Sequence, residues 1–85
     1  MRSFEYTITD PLGIHARPAG ILAKKAKELT CEITLQKGEK CVHASRLMSV
    51  MGLCVKCGDT VTVRVSGERE DEEIGAMEDF FKSHF

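Results

Sequence analysis

A histidine and an arginine lie two residues apart at the point where a loop becomes a helix. His15 and Arg17 stand in the run Gly-Ile-His-Ala-Arg-Pro-Ala-Gly, which is followed by a stretch rich in good helix formers. Pro18 suits a first helical turn, where its missing amide donor costs nothing. His15 is therefore predicted to lie at or beside the helix N-cap, beneath a row of free backbone N–H groups.

This placement favours phosphate chemistry at His15. A helix start attracts anions through its free amides and its positive dipole end, and the same field disfavours an imidazolium ion. A neutral imidazole has a lone pair that can attack a phosphoryl group. A phosphate on the ring would lie close to the amides of Ala16 and Arg17, and the Arg17 guanidinium matches phosphate oxygens. The alternative is a capping or surface histidine without chemistry of its own.

The elements that position this segment follow from the spacing of apolar residues. Phe4, Tyr6 and Ile8 alternate with polar residues and predict a first strand; residues 32–36, 40–44 and 60–65 predict three more. Apolar residues at helical spacing predict a first helix that buries Ala19, Leu22, Ala26 and Leu29. The same spacing predicts a last helix that buries Ile74, Met77 and Phe81. The order β-α-β-β-α-β-α suits a two-layer α+β sandwich with an antiparallel sheet.

Two groups of side chains lie outside the predicted core. The first is a stripe along the first helix that consists of Arg17, Gly20, Lys24 and Lys27. It is either a solvated basic face or a docking surface for an acidic partner. The second is the excess of apolar residues on a short helix, Leu47, Met48 and Met51, because Val50 and Leu53 already suffice to face inward. These three are either core filler or a deformable contact patch.

The cysteines allow two interpretations. Cys54 and Cys57 have the spacing of a metal knuckle or a redox pair, but Cys31 and Cys41 do not form a second such pair. We therefore expect incidental buried or half-buried thiols and no metal site. A thiol-redox or metal protein that uses Cys54 and Cys57 is the alternative.

Three further polar features are predicted to have no chemical role. His43 is expected on a strand surface and His84 in solvent, because neither has a partner in the sequence. The acidic run Glu70–Glu73 opens the last helix, where carboxylates are favoured by the positive end of the dipole. It is predicted to be a solvated first turn.

Composition restricts the class of protein. The chain of 85 residues, with 42% hydrophobic and 29% charged residues, is predicted to be one small domain over residues 1–85. A net charge of −1 and few aromatic residues argue against nucleic-acid binding. No apolar run approaches the ~20 residues of a membrane span and no secretory signal is visible, so we expect a cytoplasmic protein without membrane insertion.

The chain resembles the HPr family, the small phosphocarriers of the bacterial phosphoenolpyruvate–sugar phosphotransferase system. The resemblance rests on chain length, on the segment around His15 and on Leu47-Met48-Ser49-Val50-Met51 before Gly58-Asp59. It implies an open-faced sandwich whose four-stranded sheet is covered on one face by three helices. It also implies that His15 accepts a phosphoryl group from phosphorylated enzyme I, on the ring nitrogen nearer the backbone. His15 would pass that group to the A domain of a sugar-specific enzyme II.

The resemblance implies a carrier without a cofactor, acting within the transport system and not as a stand-alone enzyme. Arg17 would stabilise the phosphate, and we expect a monomer whose partner surface comprises Leu12, Gly20, Lys24, Lys27, Arg46, Leu47, Met48 and Met51. A regulatory HPr-like module that binds partners without carrying sugar-uptake flux is the alternative. The sugar and the enzyme II are not specified by the sequence.

One position departs from the family pattern. In HPr proteins of many Gram-positive bacteria, a serine just before the short helix is phosphorylated by an ATP-dependent kinase. Here Arg46 occupies that position, and Ser45 is the nearest hydroxyl. A neighbouring residue in extended backbone points to the opposite face. The protein is therefore predicted to lack this serine switch.

Overall fold

Seven elements follow one another in the predicted order in the computed structural model, which describes residues 1–85. They are β1 (Arg2–Thr7), α1 (Ala16–Glu28), β2 (Glu32–Lys37), β3 (Lys40–His43), α2 (Leu47–Gly52), β4 (Thr60–Ser66) and α3 (Glu70–His84). The strands β1, β2 and β4 carry the alternation of apolar and polar residues that a half-buried strand requires. The predicted order of elements is confirmed.

The four strands form one antiparallel sheet in the order β1-β4-β2-β3. β4 lies at the centre because its alternating valines, Val61, Val63 and Val65, are almost completely buried on one face. Tyr6 of β1 is opposite Val61, and Leu35 of β2 is opposite Val63. Since no chain segment pairs outside β1 or β3, these two strands form the edges of the sheet.

The core lies between the sheet and the three helices. Leu22 of α1, Val50 of α2 and Phe81 of α3 are fully buried and belong to the same cluster as the β4 valines. The other face of the sheet is polar, and there Arg64 of β4 donates a hydrogen bond to Gln36 of β2. The predicted open-faced α+β sandwich is therefore confirmed.

Glu73 corrects the expectation of a fully solvated acidic turn at the start of α3. It is buried, and Oε1 accepts the Cys31 N–H at 2.8 Å, while Oε2 accepts the Thr30 hydroxyl at 2.8 Å and the Thr30 N–H at 3.1 Å. Burial alone would raise the pKa of Glu73. The hydrogen bonds from Cys31 and Thr30 outweigh it and hold this pKa at about 2. Glu73 thus ties α3 to the connection between α1 and β2.

His84 and three cysteines also differ from the expectations. The His84 ring is half-buried and stacks on Phe80, with the ring centroids 4.1 Å apart, and Nδ1 lies 3.0 Å from the Phe80 carbonyl oxygen. All four thiols are unpaired. Cys31 is buried, as expected, and burial raises its pKa, but the other cysteines, Cys41, Cys54 and Cys57, are exposed. His43 lies on the strand surface as predicted, with Nδ1 3.6 Å from Oε1 of Glu32.

Candidate functional site

His15 is the N-cap residue of α1. Its backbone is extended (φ −112°, ψ 177°), and its carbonyl oxygen accepts the Ala19 N–H at 2.9 Å. The side chain makes no capping hydrogen bond and is 36% exposed. The ring is therefore available to a molecule in solvent, at the position that the sequence predicted.

The first amides of α1 are free. The N–H groups of Ala16 and Arg17 have no acceptor within the protein, and Pro18 has no N–H to satisfy. The first turn contains no acidic side chain that would compete for these donors. An anion beside the His15 ring would therefore meet two unpaired donors and the positive end of the helix dipole.

Gly13 fixes the backbone that leads into His15. Its φ of +68° lies in the left-handed region that favours glycine, and an added Cβ would collide with the Val55 carbonyl oxygen and would approach the Lys56 Cα to 2.8 Å. Ile14 is buried and donates its N–H to the same Val55 oxygen at 3.1 Å. The loop after α2 thus supports the residues just before the histidine.

Asp10 lies beside the histidine and was not predicted as a site residue. Its Oδ2 lies 3.8 Å from His15 Nε2. The separation of five residues across a loop gives no periodic signal, because the contact depends on how the turn at Pro11–Gly13 is folded. The only sequence sign is that an aspartate before such a turn often accepts a backbone N–H two residues on.

Four cations that the sequence analysis assigned to phosphate or partner binding have no ion-pair partners in the protein. No carboxylate lies within 4 Å of the charged groups of Arg17, Lys24, Lys27 or Arg46, whereas Arg2, Lys37 and Arg69 each form an ion pair. Arg17, Lys24, Lys27 and Arg46 are all exposed. They leave a positive surface whose charge is not neutralised within the chain.

Exposed apolar side chains lie on α2 and on the loop before α1. Met48 is 79% exposed and Leu12 is 72% exposed, while Leu47 and Met51 are exposed to a smaller extent. α1, which carries the predicted basic stripe, packs against α2, which carries the predicted apolar group. We call the residues that were predicted to contact partners the docking surface; they are Leu12, Gly20, Lys24, Lys27, Arg46, Leu47, Met48 and Met51.

Ile21 is an exposed apolar residue on α1 that the sequence analysis did not single out. It follows Arg17 by four residues, so it lies one turn further along the same side of the helix. That spacing was the signal available in the sequence. Its 43% exposure adds apolar area beside the basic stripe.

The site at His15 is a surface and not a pocket. The cavity of the protein, about 340 Å³, lies between α1 and α3 and is lined by Lys25, Ala76, Asp79, Phe80 and Ser83. Lys25 is ten residues, roughly 15 Å, along α1 from His15. No group of three or more potential metal ligands is present, and none of the helices is long and apolar enough to span a bilayer.

The structure is an open-faced α+β sandwich with a partly exposed histidine at the start of α1. The sequence model of the family described as "PTS HPr component phosphorylation site" matches residues 2–83. The phosphocarrier protein HPr of Lysinibacillus sphaericus is 40% identical over 77 residues, which cover 91% of this chain and 88% of that protein. The chain therefore belongs to the HPr family, the phosphocarriers of the phosphotransferase system.

Solved structures agree with this assignment. The crystal structure of HPr-C-His from Thermoanaerobacter tengcongensis has a TM-score of 0.92 and 33% identity, and the match covers 100% of this chain and 96% of that chain. The crystal structure of an HPr dimer from the same organism has a TM-score of 0.75 and 32% identity, covering 98% and 95% of the two chains.

Proposed function

We propose that this protein relays a phosphoryl group from phosphorylated enzyme I to the A domain of a sugar-specific enzyme II, with His15 as the carrier. The observation that carries the proposal is the partly exposed His15 ring at the N-cap of α1, where two backbone N–H groups have no acceptors. Family membership, with a match that spans residues 2–83, favours a phosphocarrier role.

The transfer needs little chemistry from the protein itself. The Nδ1 lone pair attacks phosphorus, and the P–N bond forms as the bond between phosphorus and the donor breaks, so that the donor retains that electron pair. The free amides of Ala16 and Arg17 and the Arg17 guanidinium offset the charge on the phosphate oxygens. In the second transfer, the phosphoryl group moves from Nδ1 to the acceptor: the new bond to phosphorus forms as the P–N bond breaks, and Nδ1 regains its lone pair. Because each partner positions the phosphate, no metal or cofactor is required.

The docking surface suits a protein that must bind two partners in turn. Its apolar centre on α2 supplies area, and methionine side chains adapt to more than one shape. The unpaired cations around it favour encounter with acidic surfaces. A shallow surface also leaves the phosphohistidine accessible to the second partner. We propose that the protein acts as a monomer, since a copy seated on this surface would block both partners.

The experiment that tests the proposal follows the phosphate through both steps. The protein is incubated with phosphoenolpyruvate and a catalytic amount of enzyme I, and the enzyme I is then removed. Intact mass should show one added phosphate, which is lost to acid. Addition of an unphosphorylated enzyme II A domain should move that phosphate to the A domain. Phosphorylation without onward transfer to any A domain would contradict the relay and would favour the regulatory module.

A further inference from the structure

The carboxylate of Asp10 is held in one orientation by the loop before α1. The Asp10 N–H donates to the Phe85 carbonyl oxygen and its own carbonyl oxygen accepts the Gly13 N–H, both at 2.9 Å. Oδ1 accepts the Leu12 N–H at 2.9 Å. Three hydrogen bonds therefore fix the backbone and one carboxylate oxygen of this residue.

The second carboxylate oxygen faces the histidine. Oδ2 has no hydrogen-bond donor in the turn and lies 3.8 Å from His15 Nε2. This separation is longer than a hydrogen bond. Contacts of catalytic groups are commonly long in the free protein and shorten in complexes. The Asp10 side chain is 26% exposed and the His15 side chain is 36% exposed, so solvent only partly screens the carboxylate from the ring.

We propose that Asp10 is a positioning residue that holds His15 in the tautomer with the proton on Nε2. A carboxylate is only an acceptor, so it favours an N–H on the ring nitrogen that faces it. Nδ1 then keeps its lone pair on the side nearer the backbone and the free amides of α1. After phosphorylation at Nδ1, the same carboxylate stabilises the Nε2–H of the charged ring. The statement about the tautomer is independent of the proposed relay, whereas its effect on transfer rests on that function.

Asp10→Asn separates this role from the role of Asp10 in the turn. The Leu12 N–H still needs an acceptor, so the amide oxygen takes the place of Oδ1 and the NH₂ group takes the place of Oδ2. A donor then faces Nε2, which favours the tautomer with the proton on Nδ1. Asp10→Ala removes both contacts. Asp59→Asn is the matched control, because Asp59 also accepts a turn N–H, that of Lys56, and has no contact with His15.

The measurement is ¹⁵N NMR of the neutral His15 ring. The wild type and Asp59→Asn should show a protonated Nε2 and an unprotonated Nδ1, and Asp10→Asn should reverse the pattern. Transfer from enzyme I to Asp10→Asn should be slower by about tenfold, less than the hundredfold that a displacement of 1 Å can cost.

A wild-type ¹⁵N pattern in Asp10→Asn would overturn the proposal. So would a normal transfer rate in Asp10→Asn with a reduced rate only in Asp10→Ala, since the turn alone would then matter. A failure of the relay itself would appear as an unphosphorylated wild type, with the ¹⁵N result unaffected.

Discussion

Arg17 illustrates how single residues divide between stability and function in this protein. Its guanidinium is exposed on the first turn of α1 and has no ion pair, so the fold gains little from it. We expect Arg17→Ala to change the free energy of unfolding by less than about 0.5 kcal/mol. Transfer from enzyme I should slow by about tenfold or more, because a hydrogen bond to a charged group contributes roughly 1.5–3 kcal/mol.

Urea denaturation and rapid-quench phosphorylation measure these two effects separately. Arg17→Lys keeps the charge but loses the planar fork, and should give an intermediate rate. Lys40→Ala, which removes an exposed cation at the start of β3, should leave the rate unchanged. A wild-type transfer rate in Arg17→Ala would refute the role assigned to the guanidinium.

Glu73 contrasts with Arg17, because its carboxylate contributes to the stability of the fold and not to transfer. Three donors from Thr30 and Cys31 bind the two carboxylate oxygens of Glu73. Glu73→Gln replaces one of these oxygens with an NH₂ group, so at least one donor loses its acceptor. We expect the free energy of unfolding at neutral pH to fall by about 1–3 kcal/mol, the cost of a buried donor without a partner. Glu72→Gln is the matched control, since Glu72 is the exposed neighbour in an ion pair with Arg69 and should contribute little.

The same carboxylate makes stability depend on pH. The pKa of Glu73 is lowered from 4.5 to about 2 in the folded protein, so its ionised form stabilises the fold above pH 4.5. This contribution should disappear progressively as the pH falls from 4.5 to about 2. Chemical denaturation across this range should show a steeper loss of stability in the wild type than in Glu73→Gln. Parallel curves would contradict the assignment.

Among the elements, α2 contributes the apolar centre of the docking surface. Met48 is 79% exposed and contributes little to the core, so Met48→Glu should leave the circular dichroism spectrum and the free energy of unfolding nearly unchanged. It should weaken binding to enzyme I by at least about tenfold, because it removes apolar contact area and repels an acidic partner.

The binding measurement is NMR titration with enzyme I. Cys41→Glu is the control, because it adds the same charge at an exposed position of β3 opposite Gln36, on the polar face of the sheet. It should bind as the wild type does. If the resonances that shift belong to α3 instead of α1 and α2, the docking surface is wrongly assigned.

The start of α2 bears on regulation. Arg46 is its N-cap residue and is exposed, while the neighbouring hydroxyls of Ser45 and Ser49 belong to half-buried residues. Neither serine occupies position 46, where the family resemblance implies the regulatory serine. We therefore expect the protein to remain active with enzyme I after incubation with an HPr kinase and ATP.

Acid-stable phosphate, measured by intact mass, tests this expectation. The wild type should acquire none, whereas Arg46→Ser should become a substrate and should lose activity with enzyme I when modified. Stoichiometric modification of the wild type at Ser45 or Ser49 with loss of transfer would show that the switch is present.

At the level of the whole molecule, local patterns predicted the elements but not all of their contacts. The valines of β4 and the helical spacing of Ile74, Met77 and Phe81 are periodic signals that indicate type and buried face directly. The open-faced topology came from the family resemblance, and the strand order β1-β4-β2-β3 was not predicted. Pattern alone was compatible with other α+β arrangements.

The contacts that the sequence did not predict join residues far apart in the chain or within an irregular loop. Glu73 is buried only because Thr30 and Cys31 offer three donors there, and no local rule links residues 43 positions apart. His84 is half-buried because the end of α3 folds its ring onto Phe80. Asp10 meets His15 through a turn whose geometry depends on Gly13 packing against Val55.

The central claim is that His15 alone carries the phosphoryl group. The direct test is to incubate the wild type, His15→Ala, His43→Ala and His84→Ala with enzyme I and phosphoenolpyruvate, and to measure acid-labile phosphate by intact mass. All four should be folded by circular dichroism, and only His15→Ala should gain no phosphate. Acid-labile phosphate on folded His15→Ala, mapped to His43 or His84, would contradict this account.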